Sequence, residues 1–156
     1  MKYSIDTSAI LECWVRRYPP EVFPAVWVKL NELIDHKVLI ATEEVLYELE
    51  RKHDDVFKWA KQREHMFIPH NVEIQVSVRN LLNHPQHKYL TKQTKNRTSA
   101  DPFVVALAQI ENCTVVTAEI PTNNPDKPRI PDVCNDLNIR WITLLELFKE
   151  QKWVFR

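Results

Sequence analysis

The sequence predicts an α/β fold in which a parallel sheet is covered by helices on both faces. Three features carry the prediction. Short β-branched or apolar runs alternate with longer stretches of helical period along the whole chain. Residues 38–41 (VLIA) form a continuous apolar run, as expected of a strand buried on both faces. Finally, 156 residues suit a single domain spanning 1–156, long enough to bury a core.

The elements follow in order. Residues 3–6 are a short strand that ends on Asp6, and 38–41 are the second strand. Residues 114–117 (TVVT) and 140–143 (RWIT) are strand-like and follow turn-type residues at Asn112 and Asn138. Val22, Phe23, Val26, Trp27, Leu30, Leu33 and Ile34 recur at helical spacing after Pro19 and Pro20, which suits a helix start there. Val45, Leu46 and Leu49 mark a second helix, and Val56, Phe57 and 59–60 a third. Segments 72–82, 102–110 and 144–148 complete the helical set. No internal repeat or low-complexity tract is present.

Composition excludes several functions. The chain has no glycine, so it holds neither a Walker A loop nor a dinucleotide fingerprint, both of which bring backbone close to phosphate where a Cβ clashes. A G-x-S-x-G nucleophile elbow is excluded too. Lys plus Arg and Asp plus Glu both total 21, so any nucleic-acid role must rest on local charge. Cys13, Cys113 and Cys134 form no C-x-x-C pair and are expected to be reduced and buried. The six histidines show no H-E-x-x-H pattern and are expected on the surface. No apolar run is long enough to span a membrane, and the opening Met-Lys-Tyr-Ser-Ile-Asp puts charge where a secretion signal has its apolar core, which predicts a cytoplasmic location.

Parallel sheets collect reacting groups beyond the carboxyl ends of their strands, where strand order reverses. That rule selects four acids. Asp6 ends the first strand, Glu48 lies in the helix after the second, Asp101 opens the helix before 114–117, and Glu119 follows that strand. If the first strand neighbours 114–117, the four share one cleft. Like charges about 4 Å apart cost about 1 kcal/mol per pair in water and several times more when half-buried, so such a group calls for a cation. An all-carboxylate site suits Mg²⁺ or Mn²⁺ rather than zinc. Each acid also admits a structural role. Asp6 suits the N-cap of a helix starting at Thr7. Asp101, in Ser99-Ala100-Asp101-Pro102, suits a helix first turn. Glu48 is one of several acids between Glu43 and Asp55, and Glu119 is a loop acid.

The segments YSIDTSAIL, LIATEEVLYELE, SADPFVVALA and TVVTAE resemble, in order and spacing, the acidic motifs of PIN-domain nucleases, including VapC-type toxins. The later RIPDVCNDLNIRWITLLELF is similar to the closing segment of a PIN-like branch described only as a domain of unknown function. The resemblance implies a three-layer α/β/α PIN-like fold, with a central parallel sheet of four or five strands, and a Mg²⁺- or Mn²⁺-dependent ribonuclease site. Asp6, Glu48 and Asp101 match the family's acids. Glu119 stands where the family usually has Asp in T-x-D, which puts direct metal binding at that position in question. Ser8 and Thr117 match groups that support the first acid from behind. The resemblance also implies a toxin with an antitoxin partner. A homodimer through Trp14, Phe23 or Trp27 is a further expectation.

Local charge supplies an RNA contact. Residues 84–98 carry Lys88, Lys92, Lys95 and Arg97 with no acid, beside Tyr89 and just before Asp101. The segment lacks an apolar period, so it reads either as a solvated linker or as a loop that holds an RNA backbone while Tyr89 stacks on a base. Lys127 and Arg129, in the Pro-rich stretch 121–131, read either as further phosphate contacts or, as the leading expectation, as part of a rigid connection to the last strand. The leading expectation is a metal-dependent endoribonuclease. The alternatives are a structure-specific DNA nuclease of the same fold and a catalytically silent nucleic-acid-binding module.

Overall fold

The computed structural model describes residues 1–90 and 99–156. Five parallel strands form the sheet: β1 (Tyr3–Ile5), β2 (Leu39–Thr42), β3 (Phe67–Ile68), β4 (Thr114–Val116) and β5 (Trp141–Ile142), in the order β3-β2-β1-β4-β5. Tyr3 lies beside both Leu39 and Thr114, so β1 is central and the order reverses between β1 and β4. Every residue of β1, β2 and β4 is buried, as a doubly covered sheet requires. Even Ser4 is enclosed, its hydroxyl donating to the Val104 carbonyl at 3.3 Å.

The helices are α1 (Thr7–Leu11), which runs on into a π-helical stretch Glu12–Arg17, α2 (Pro24–Asp35), α3 (Glu43–Lys52), α4 (Asp54–Lys61), α5 (Val72–Asn83), α6 (Asp101–Glu111), α7 (Ile130–Asp136) and α8 (Leu144–Glu150). With right-handed crossovers, this strand order puts α1 to α4 on one face and α5 to α7 on the other. The predicted α/β/α, PIN-like architecture is therefore the observed one, at the upper of the two strand numbers. Helix α6 packs against β1, β2 and β4 and buries Pro102, Val104, Val105, Ala106, Leu107 and Ala108; a helix apolar around most of its circumference belongs in the interior. Because α6 feeds into the start of β4, its first residue, Asp101, lies at the opposite, carboxyl edge of the sheet.

Glycine's usual place at helix ends is taken by other residues. Lys37, Asn112, Asn138 and Lys152 adopt left-handed backbone with φ of 59°, 55°, 55° and 57°. After each, the chain closes the same bond to a carbonyl five residues back: Val38 to Leu33 (2.9 Å), Cys113 to Ala108 (2.8 Å), Ile139 to Cys134 (2.9 Å) and Trp153 to Phe148 (3.1 Å). These are Schellman ends. Three of them lead straight into β2, β4 and β5, so the asparagines read from sequence as turn residues set where two strands begin.

Several expectations need correction. Helix α2 starts at Pro24, not after Pro19 and Pro20; the amides of Val22 and Phe23 both donate to the Pro19 carbonyl in a tight turn, and both side chains are exposed. Strand β3 has only two residues, too few to show a period. The Pro-rich connection becomes helical at α7, with Pro131 in its first turn, where a missing amide is tolerated. The histidines are not all superficial: His87 is 2% exposed, with Nε2 3.0 Å from Asp136 Oδ2. The three cysteines are buried and unpaired as expected. Among the described residues, no helix is long and apolar enough to cross a membrane.

Candidate active site

The site forms where the sheet order reverses. Asp6 directly follows β1, and its amide donates to the Val116 carbonyl of β4 at 3.0 Å. Its carboxylate is 2% exposed and receives three donors. Ala9 N–H donates to Oδ1 at 2.8 Å, the Ser8 hydroxyl lies 2.8 Å from both oxygens, and Thr117 Oγ1 donates to Oδ2 at 2.7 Å. The structural role is present, since Asp6 caps the first turn of α1, and it leaves Asp6 standing at the strand exit where the site role places it. Ser8 Oγ in turn accepts from Ala118 N–H at 3.1 Å, and Thr117 Oγ1 from Glu119 N–H at 3.1 Å. The loop after β4 is thereby locked onto the start of α1.

The other acids reach the same place from three elements. Glu48 on α3 is 5% exposed; Thr7 Oγ1 donates to its Oε1 at 3.0 Å, and Lys52 Nζ is 3.4 Å from its Oε2. Asp101 opens α6, and its amide donates to Ser99 Oγ at 3.1 Å. Glu119 Oε2 accepts from Ile130 N–H, the first residue of α7, at 3.1 Å.

The carboxyl groups register this convergence in their charge. Burial, reinforced by Glu119, raises the Asp6 carboxyl to about 7 despite its bonds from Thr117, Ala9 and Ser8. Asp101 is pushed well above the usual carboxylate range, by burial first and then by Glu119, Asp6 and Glu48, with Ser99 opposing. Glu119 is raised by burial and by Glu48, against the Ile130 amide, Arg129 and Lys52. Asp6, Asp101 and Glu119 thus lie close enough to raise one another or to be raised by Glu48, at the edge where β1 and β4 are neighbours.

Sequence reasoning missed the groups that hold these acids. Thr7 and Lys52 tether Glu48, and Ser99 and Arg129 act on Asp101 and Glu119. The Glu48 to Lys52 spacing of four on one helix was a usable signal. It also missed a neighbouring cluster: His70 Nδ1 lies 3.4 Å from Glu43 Oε1 and its Nε2 3.7 Å from Glu44 Oε1, while its ring stacks on Phe103 with centroids 4.4 Å apart. That cluster ties the first turn of α3 to the start of α6.

The donor set fits a hard divalent cation in kind. It is all oxygen, it is repulsive without compensation, and its hydroxyls hold Asp6 from behind. It is not a ready-made cage: among the described residues, no group of three His, Cys, Asp or Glu side chains is set to hold an ion. Of the expected RNA contacts, Lys92, Lys95 and Arg97 lie outside the described residues. Lys88 is exposed, with its ammonium 4.9 Å from the centre of the Tyr89 ring.

A hollow of about 300 Å³ adjoins Asp6, lined by Ala9, Thr117 and Ala118 and reaching across to Arg17, Tyr18 and Leu145. A larger one, about 540 Å³, lies between α5 and α6 around Val76 and Gln109. Gln109 is eight residues beyond Asp101, roughly 12 Å along the helix, so this hollow is remote from the acids.

No curated protein matches the chain in sequence. Among solved structures, the fold is similar to a chain in the crystal structure of VapBC2 from Rickettsia felis bound to a DNA fragment from their promoter, at 15% identity and a TM-score of 0.51, covering 92% of this chain and 98% of that one. The likeness is one of fold. Residues 3–155 match the family model described as a domain of unknown function, DUF4411, and the chain belongs to that family.

Proposed function

We propose that this chain is a metal-dependent endoribonuclease, the toxin of a toxin and antitoxin pair. The observation that carries the reading is the mutual crowding of Asp6, Asp101 and Glu119, with Glu48 beside them, at the reversal point of the sheet. The motif resemblance to PIN-domain nucleases and the shared fold with a VapBC2 chain support it. The same likeness motivates the antitoxin partner and the homodimer.

In this reading Asp6 and Asp101 hold Mg²⁺ or Mn²⁺, with Glu48 and Glu119 at its margin. When bound, such a cation lowers the pKa of a water and neutralises charge on the phosphoryl oxygens. The protein's own groups do the rest. Ser8 and Thr117 fix the rotamer of Asp6, Thr7 and Lys52 fix Glu48, and Lys52 and Arg129 temper a cleft that otherwise repels a phosphate backbone. Lys88, Tyr89, Lys92, Lys95 and Arg97 supply the RNA contact.

The test is cleavage of total RNA with Mn²⁺ or Mg²⁺, comparing the native chain with Asp6→Asn. Cation-dependent cleavage lost in the variant supports the proposal, and equal activity in both removes it. A parallel titration with labelled DNA separates a DNA nuclease of the same fold. One observation favours a second reading, a catalytically silent binding module. Glu119 replaces the family's usual Asp and already accepts from Ile130, and Lys52 already pairs with Glu48. Calorimetry with Mn²⁺ decides, since a silent module takes up no cation through these carboxylates.

A further inference from the structure

Resting on the nuclease reading, we infer that the hollow beside Asp6 is a subsite for one RNA nucleotide next to the bond to be cut, and that Arg17 is its anchoring residue. The hollow lies one residue layer from Asp6, which does not itself line it: Thr117 donates to Asp6 at 2.7 Å, Ala9 N–H donates to it at 2.8 Å, and Ala118 N–H donates to Ser8 at 3.1 Å, while the same three residues form the near wall. Its volume of about 300 Å³ falls at the lower end of small-ligand sites.

The lining has the mixed character a nucleotide needs. Leu144, Leu145 and Ala118 offer apolar surface to the face of a base. Glu12 offers a carboxylate acceptor for an amino or hydroxyl group. The Arg17 side chain is 67% exposed, and its Nε donates to Glu12 Oε1 at 3.0 Å. That bond orients the guanidinium, while its two terminal nitrogens make no hydrogen bond to the described residues and stay available to a phosphate or a base edge. The Tyr18 ring is held at the back by Phe23 and Phe148, with centroids 5.4 Å away in each case. The π-helical turn from Glu12 to Arg17 is what brings Glu12 and Arg17, five positions apart, into contact.

Binding can be read without cleavage. Fluorescence anisotropy of a labelled RNA tetranucleotide pool is measured on Asp6→Asn protein, alone and combined with Arg17→Gln or Leu145→Glu. The matched controls are Arg79→Gln, which carries the same charge change at an exposed position outside the hollow, and Val154→Glu at another exposed site. All four positions are largely exposed, and melting curves verify that each variant folds. The subsite predicts about tenfold weaker binding with either Arg17→Gln or Leu145→Glu and less than twofold change in the controls. In the otherwise native chain, Arg17→Gln should also shift base preference at mapped cleavage ends. Equal binding by test and control variants overturns the subsite, even where native protein cleaves RNA. So does a failure of Asp6→Asn protein to bind RNA at all. Loss of binding in the two test variants alongside an inactive native chain keeps the nucleotide site at Arg17 and removes the nuclease reading, and with it the placement beside a bond to be cut.

Discussion

The two edges of the sheet carry opposite kinds of cost. At the amino edge, β2, β4 and β5 each start just after a helix that ends on a left-handed lysine or asparagine, so the strain is in the backbone. At the carboxyl edge the backbone is well bonded and the cost is electrostatic: Asp6, Asp101 and Glu119 all sit above their ordinary range. The amino edge is a set of repeated turns that positions strands. The carboxyl edge gathers like charges that burial and topology bring together, which is where a protein spends stability on function. That edge is itself uneven. Asp6 is held by three donors, whereas Asp101 faces three acids with Ser99 opposing them among the described residues.

The largest effect should come from breaking the carboxyl edge. Asp6→Asn and Asp101→Asn are each expected to reduce RNA cleavage on the order of 10²–10³-fold or more. The unevenness predicts that they part company in stability. Asp101→Asn removes a charge that burial and three acids oppose, and should raise the melting temperature of metal-free protein at pH 8. Asp6→Asn also removes a charge, but its amide nitrogen cannot accept from Ala9, Ser8 or Thr117, so the gain should be smaller. Parallel melts of the two variants check this, and a larger gain for Asp6→Asn would reverse the assignment of the held and unheld sides.

Acid should relieve the same edge. A carboxyl raised in the folded state destabilises the fold once it must ionise. For Asp6, with an ordinary value of 3.8 and a folded value of about 7, that cost is absent below pH 4, grows through the interval, and is complete above about pH 7. Asp101 and Glu119 act in the same direction. Metal-free protein should therefore melt higher at pH 5 than at pH 8, by roughly 5–10 °C, because about 3 kcal/mol of the Asp6 cost develops between those two values. Saturating Mn²⁺ at pH 8 should restore much of the difference. A flat profile in chelator would show that the acids are not crowded in solution.

How much of the fold and the site was legible depended on signal length. Residues 38–41 announced a buried strand because four apolar side chains in a row point alternately to both faces and need cover on each, and Asp6, Glu48, Asp101 and Glu119 were selected as candidates because strand exits are where such sheets do chemistry. Strand β3 was invisible because two residues carry no period. Helix α7 was hidden by prolines that disfavour a helix interior but not its first turn. Of the acids' supports, Thr7 was missed because its partner lies 41 positions away, a pairing created by the topology, whereas Lys52 and Ser99 are local to Glu48 and Asp101 and their spacing was readable.

A middle-sized effect tests those supports. Thr117→Val removes one donor from Asp6 and the acceptor used by Glu119 N–H. Loss of a bond to a charged group in a buried place costs about 1.5–3 kcal/mol, so catalysis should fall about tenfold or more, while Thr117→Ser keeps the hydroxyl and should retain most of it. Steady-state cleavage at saturating Mn²⁺ distinguishes the pair, and equal loss in both would make the methyl group, not the hydroxyl, the important part.

The smallest effect belongs to the amino edge. Left-handed backbone costs an L-residue roughly 1–2 kcal/mol, and asparagine tolerates it better than lysine. Lys37 is exposed, so Lys37→Gly loses little packing and keeps the Val38 to Leu33 bond at 2.9 Å. Glycine returns part of the gain through its freer unfolded chain. The net should be about 0.5–1 kcal/mol of added stability, or roughly 1–4 °C in melting temperature, with a smaller rise for Asn112→Gly. Cleavage should be unchanged in both, because neither turn touches the acids. If Lys37→Gly lowered the melting temperature, the left-handed turn would not be a strained one, and the cost at that edge would have to lie elsewhere.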